Sequence, residues 1–269
     1  MIILENTHSA MTHFTAIASE MGIKTVVIPH NLESLVPRQV SRLTNKIAPF
    51  WLDEDIFLMK YASEIFTISR EEQWLLKLFS IDAKYLPYKS TSNYDEYLTQ
   101  IKKKREKSLK EHFLIMGSAG NTPTFQGMVK LIEYLNKLSN SKLKIYLIGF
   151  GTSSVQKMIH KKSGIINLGE ITNDQLSDLL QKSKAVIINQ NCSSGALTKI
   201  PELIRASVPI IINSGAARNF YNLKGLYIYN SLKELGKIIE SFDTINESNG
   251  NSVYNEELIF EYCSACVNS

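Results

Sequence analysis

The residues best suited to chemistry fall in one run, Ala185 to Asn213 (AVIINQNCSSGALTKIPELIRASVPIIIN). Ser193, Ser194 and Gly195 are small residues at the expected start of a helix. There, backbone N–H groups without intrahelical partners and the positive end of the helix dipole favour an anion such as phosphate. Thr198, Lys199 and Glu202 follow at spacings of three and four, so Thr198 and Lys199 can point toward a phosphate while Glu202 lies one turn further along. A carboxylate there can accept hydrogen bonds from a ribose. The same spacing also suits a solvated Lys199–Glu202 helix pair, with Gly195 serving only a turn.

Two buried elements must hold this run in place. AVIIN and VPIII are short, branched and continuously apolar, the pattern of parallel strands covered on both faces by helices. The 269 residues, 44% of them hydrophobic, suffice for one large or two small α/β domains. Thirty basic against 26 acidic residues leave a net charge of +4, too weak for a nucleic-acid partner, and no groove-reading motif is present. The three cysteines, Cys192, Cys263 and Cys266, do not form a disulfide framework and suit a reducing cytoplasm. The terminal CSAC lacks the second pair of ligands that a zinc site needs, so no metal is expected. No apolar run approaches the ~20 residues of a membrane span, and no basic segment leads into an apolar N-terminal core.

Along the chain, MIILEN, a helical stretch from His8 to Met21 and KTVVIP make a β-α-β unit. His30 and Asn31 follow the second strand directly, at the edge where open α/β sheets bind ligands. His8 and His13, five apart, share no helix face and are not a metal pair. A helical stretch from Leu35 to Tyr61, the strand SEIFTIS, a helix from Arg70 capped by Ser69 and Glu72, and the strand AKYLP complete residues 1–88. Residues 89–110 read as a linker, since IKKKREKSLK carries six basic residues against one acidic. Either it is a solvated hinge or it holds the protein at anionic lipid on the inner face of a membrane. Residues 111–242 contain six strand–helix units, beginning with HFLIM and a glycine-containing turn at Gly117 and Gly120. Gly149-Phe-Gly151 lacks the third glycine of a dinucleotide fingerprint, so hydride transfer is disfavoured. Residues 243–269 hold most of a polar link, SFDTINESNGNS, followed by VYNEELIFEYCSAC, which resembles a terminal helix.

SGALTKIPELIRASVPII is similar to the donor-binding segment of GT-B glycosyltransferases of the large retaining family four, and the resemblance extends over nearly the whole chain. It implies two Rossmann-like doubly wound domains and transfer of a sugar, with retention, from a nucleotide-diphosphate sugar to a glycan or lipid-linked acceptor, without metal or other cofactor. It further implies that Gly117, Gly120, Gly195, Thr198, Lys199 and Glu202 hold the donor phosphates and ribose. Leu168, Gly169, Glu170 and Ile171 would line the nucleobase pocket, and His30 would face the donor sugar and acceptor. Two positions depart from the family pattern. Ser194 stands where many members carry a glutamate, and no basic residue follows Gly120 until Lys130, which leaves Lys199 as the main charge partner. These departures keep open a catalytically silent nucleotide-binding homologue or subunit, and the architecture also admits a sugar-nucleotide epimerase.

Residues 1–88 supply about four strands, fewer than the six of a full doubly wound sheet. In the order 3-2-1-4-5-6 a chain starting at the fourth strand leaves IILEN with a free edge. The expectation is an incomplete N-terminal domain that either self-associates or takes up a separate N-terminal piece.

Overall fold

A computed structural model describes residues 1–5, 9–35, 52–138, 143–190, 196–220 and 223–242. The described residues of Met1–Lys89 form one compact unit, and most of the remainder, within Ser90–Cys192 and Thr198–Ser252, forms another.

The first unit alternates β1 (Ile2–Glu5), α1 (Ser9–Glu20), β2 (Thr25–Ile28), α2 (Leu52–Met59), β3 (Glu64–Thr67), α3 (Arg70–Leu78) and β4 (Ala83–Tyr85). Its four described strands are all parallel and lie side by side in chain order, β1-β2-β3-β4. The register sets Leu4, Val27, Ile65 and Ala83 on one sheet face, where they join Leu32, Ile56, Met59 and Leu76 in a buried cluster. Burying each such aliphatic side chain contributes about 1.5–3 kcal/mol, which makes this face the reason the unit holds. Ser69 caps α3 by accepting the Glu72 N–H, as the S-x-x-E pattern predicts. The Glu72 carboxylate is buried and accepts the Leu32 N–H at 3.0 Å, tying α3 to the segment after β2. Of the helical stretch expected from Leu35 to Tyr61, residues 36–51 lie outside the described residues, as does the expected terminal helix within 243–269.

The second unit contains α4 (Ser92–Arg105), β5 (His112–Met116), α5 (Thr122–Leu138), β6 (Ile145–Ile148), β7 (Ile165–Gly169), α6 (Asn173–Lys182), β8 (Ser183–Ile188), α7 (Lys199–Arg205), β9 (Ile210–Asn213), α8 (Ser214–Ala217), β10 (Leu226–Tyr229) and α9 (Leu232–Ser241). Its six strands, all parallel, take the order β10-β9-β8-β5-β6-β7, with the first strand central, so the sheet is wound in both directions. Val186, Ile187, Ile210, Ile211 and Ile212 are at most 1% exposed, as their unbroken apolar runs require.

The 89–110 stretch departs from its expectation as a solvated linker. Residues 92–105 are the helix α4, which packs against α6 and α7 and buries Leu98, Ile101 and Arg105. Charge counting failed because lysines 103, 104 and 107 do face solvent while Arg105, in the same run, turns inward. The Arg105 guanidinium donates to Leu180 O, Ser183 O and Ser207 O. Leu180 O and Ser207 O lie at the C-terminal ends of α6 and α7, where helix carbonyls lack intrahelical partners and the dipole is negative, so a buried cation is accommodated there.

Candidate functional site

Because the six strands of the second sheet are parallel, the loops leaving their carboxyl ends share one edge, the place where open α/β sheets take ligands. Backbone bonds lace these loops together. The Gly149 N–H donates to Gly169 O at 2.8 Å, the Gly117 N–H to Ile148 O at 3.2 Å, and the Ala119 N–H to Phe150 O at 2.8 Å. Gly149 has φ +135, and a Cβ there would sit 1.9 Å from Gly117 O, so only glycine allows the two loops to touch. Thr152 and Asn167 reinforce the join. The Thr152 hydroxyl donates to Asn167 Oδ1 (3.0 Å), and Asn167 Nδ2 donates to Thr152 O (2.9 Å).

Helix α5 starts against this edge. Asn121 Oδ1 accepts the Thr124 N–H (3.1 Å) and hydroxyl (2.9 Å), satisfying donors of the first turn. At Gly127 the helix presses on the end of β8, where an added Cβ would come 1.6 Å from Asn189 O. The β8 and β9 ends are joined by amide pairing, with Gln190 N–H donating to Asn213 Oδ1 and Asn213 Nδ2 to Gln190 O, both 2.9 Å.

Lys199 opens α7, with Thr198 as its N-cap, and Glu202 sits in the first turn. Lys199 is exposed, yet the protein around its ammonium removes enough water to pull its pKa below the ordinary lysine value; Glu202 raises it without cancelling the loss. A cation stripped of some hydration gains most from an arriving anion. Helix α7 is short, seven residues, so the electrostatic case rests on the Lys199 charge more than on a helix dipole. Helix α4 braces the C-terminal end of α7 with residues near both of its own ends. Asp95 pairs with Arg205 through two bonds of 2.7 Å, and Arg105 holds Ser207 O at 3.0 Å. Tyr94 stacks on Tyr97 at 5.6 Å. Burial first, then Glu202 and Tyr97, push the Tyr94 phenol up to about 12, so it stays protonated near the Glu202 carboxylate.

In the first unit, His30 follows β2 at the carboxyl edge and its Nε2 lies 3.2 Å from Glu5 Oε1, at the end of β1. A carboxylate that fixes an imidazole is a common arrangement for proton transfer. Both side chains are more than half exposed.

Of the residues expected from sequence, Gly117, Gly120, Leu168, Gly169, Glu170, Ile171, Thr198, Lys199 and Glu202 all belong to the second unit, at its carboxyl edge or the start of α7. Gly195, with Ser193 and Ser194, lies outside the described residues. The Gly117 N–H is already taken by Ile148 O, so this glycine serves close packing, whereas Gly120, Leu168 and Glu170 are exposed. Sequence reasoning missed Glu5, Asn167, Thr152 and the Asn213–Gln190 pairing. An asparagine ending an apolar strand, as in IIIN, was the available signal. Among the described residues no group of three His, Cys, Asp or Glu side chains is placed to hold a metal ion, and no helix is long and apolar enough to cross a membrane.

No family model and no curated protein sequence matches the chain. Solved structures do match in fold. Anabaena HepE in complex with UDP superposes with a TM-score of 0.65 at 14% identity, over 90% of this chain and 69% of that one. The α,α-trehalose 6-phosphate synthase of Burkholderia multivorans gives 0.63 at 11% identity, over 91% and 63%. TarM gives 0.59 at 11% identity, over 90% of this chain and 48% of its own. The chain thus has the fold of GT-B glycosyltransferases and spans about half to two thirds of the length of several it matches.

Proposed function

We propose that the chain binds a nucleotide-diphosphate sugar on its second unit and acts as a glycosyltransferase toward a glycan or lipid-linked acceptor. The observation that carries this reading is Lys199, a partly dehydrated cation at the start of α7, with Glu202 one turn further along. As the bond to the sugar breaks, negative charge grows on the leaving diphosphate, and an ammonium placed beside it stabilises that charge more than the ground state. Glu202 is the ribose acceptor in this reading. Leu168 and Glu170, exposed beside the left-handed Gly169, are the base contacts. HepE, a fold neighbour, has been solved with UDP bound, which supports a uridine nucleotide as the first ligand to try. His30, fixed by Glu5, is assigned to the transfer step.

Calorimetric titration with UDP and GDP tests the donor site. One of them is expected to bind wild type, and Lys199→Glu is expected to weaken it at least tenfold, about 1.4 kcal/mol or more. Unchanged affinity in the variant removes Lys199 from the phosphate site.

A second reading, a nucleotide-binding homologue without transferase activity, is supported by the loop after β5. Its Gly117 N–H is engaged, and the first basic residue beyond it, Lys130, lies well into α5. Product analysis with a labelled donor separates the readings. Transfer to an acceptor favours the transferase, an altered free sugar nucleotide favours an epimerase, and an unchanged donor favours the silent homologue. Residence at the inner face of a membrane through the exposed lysines of α4 also belongs to this proposal; vesicles with and without anionic lipid would separate it from a purely soluble life.

A further inference from the structure

We propose that the edge at which the six strands of the second sheet begin is a docking face for an anionic lipid bilayer. The contact assigned above to the lysines of α4 is then one part of a wider surface, and this inference rests on that part of the reading. Across the sheet order, β10 starts beside Lys224, β8 beside Lys182, β6 beside Lys144, and β7 behind the turn that holds Lys161 and Lys162. All five lysines are exposed. Backbone bonds keep these turns in one row. The Ile210 N–H donates to Gly225 O (2.9 Å), the Glu111 N–H to Lys182 O (2.8 Å), the Phe113 N–H to Lys144 O (2.9 Å) and the Ile145 N–H to Gly164 O (3.0 Å). Six neighbouring strands at about 4.8 Å make the row roughly 24 Å long.

Helix α4 ends at the same row, because Arg105 binds Ser183 O and Ser207 O beside the starts of β8 and β9. Its last turns add the exposed Lys103, Lys104 and Lys107. Burial first, with Lys144 and Lys182 adding to it, holds the His112 imidazole below its usual pKa, as expected if both ammonium groups flank the start of β5. Glu106, Glu111 and Glu240 oppose the lysines without balancing them, so a chain of net charge +4 concentrates positive charge on this edge. Lysines at helix ends answer the helix dipole. Lys144, Lys161, Lys162 and Lys224, however, lie outside every described helix, so the dipole does not account for them.

Near the middle of the row stands Leu109, 78% exposed, just before the interior strand β5. The Lys110 ammonium closes its turn by donating to Arg105 O and Ser108 O, so this leucine is presented on a fixed loop among lysines. A broad row of cations around one projecting apolar side chain matches a bilayer, where lysines meet anionic headgroups and the leucine reaches the acyl boundary. A soluble polyanion would answer the charges and leave Leu109 in water. Because the strands are parallel, the same docking turns the carboxyl edge of the sheet away from the lipid, toward the water from which a soluble nucleotide arrives.

Co-sedimentation of the full chain with phosphatidylcholine vesicles, with and without phosphatidylglycerol, tests this. Binding is expected only to the anionic vesicles and is expected to fall as salt rises. Lys161→Glu combined with Lys162→Glu, far from α4 in sequence, should weaken it at least tenfold, since each lysine near such a surface counts for roughly fivefold. Lys130→Glu combined with Lys233→Glu, an equal change of net charge away from the strand starts, should weaken it less than about threefold. Circular dichroism checks that the variants fold. Leu109→Trp should give a blue-shifted emission on anionic vesicles, over the wild-type background. No preference for anionic vesicles overturns this inference and the α4 contact together. Binding that survives the Lys161 and Lys162 reversals overturns this inference alone and leaves the α4 contact standing. Binding to soluble polyphosphate with none to vesicles, or a Leu109→Trp emission unmoved by lipid, also overturns it.

Discussion

Replacing Arg105 by methionine keeps most of the aliphatic stem and removes the guanidinium that binds three carbonyls at the base of the second unit. Leu180 O retains the Ser183 hydroxyl, which donates to it at 2.9 Å, so the cost falls mainly on Ser183 O and Ser207 O. Each buried acceptor that loses a donor costs about 1–3 kcal/mol. Relief from burying a cation returns part of this, leaving a net loss of roughly 2–4 kcal/mol. Against a typical stability of about 5–15 kcal/mol that is a large fraction. Urea unfolding followed by circular dichroism should show a lower midpoint at constant slope, by about 1 M for a slope near 3 kcal/mol/M. Hydrogen exchange should quicken first in α6, α7 and β8, the elements whose ends the guanidinium joins. Because α7 carries Lys199 and Glu202, nucleotide affinity should fall as well, although Arg105 is wholly buried at the opposite end of α7 from Lys199. A variant with the wild-type midpoint and unchanged exchange in α7 would refute the assignment of Arg105 as the clamp.

Gly127→Ala should cost on the order of 3 kcal/mol or more, because its Cβ would meet a backbone oxygen that cannot swing aside; thermal unfolding reads this directly. Lys199 has a lowered pKa in the folded chain. Between that value and 10.5 the unfolded chain binds more protons, so the penalty for charging Lys199 is relieved and stability rises with pH through this window. A bound diphosphate pushes the Lys199 pKa back up, and calorimetry in buffers of different ionisation enthalpy should register proton uptake within the window; proton release there would contradict the assignment. His30→Ala should lower turnover more than nucleotide affinity, while Glu5→Gln, which removes the carboxylate beside the imidazole, should lower turnover without abolishing it. Equal activity in both variants would remove the pair from the transfer step.

Strand content was legible in the sequence because both sheets are parallel. Runs such as AVIIN and VPIII are apolar on both faces, and their shortness and β-branched residues favour strand over buried helix. The Thr198, Lys199 and Glu202 placements were legible for a similar reason, since helical spacing depends on the chain alone. What the sequence could not show was which charges leave the surface. Arg105 sits in a run of lysines and looks solvated, and only the meeting of the α6 and α7 ends with the start of β8 provides the carbonyls that make its burial tolerable. The Glu5–His30 contact spans 25 positions and depends on the register of β1 against β2, which pattern does not encode. Gly127 and Gly149 read as ordinary glycines until another segment's carbonyl is found less than 2 Å from where a side chain would begin. Local spacing is a property of one chain segment, whereas burial, pairing and steric room belong to segments that meet only when the sheet has formed.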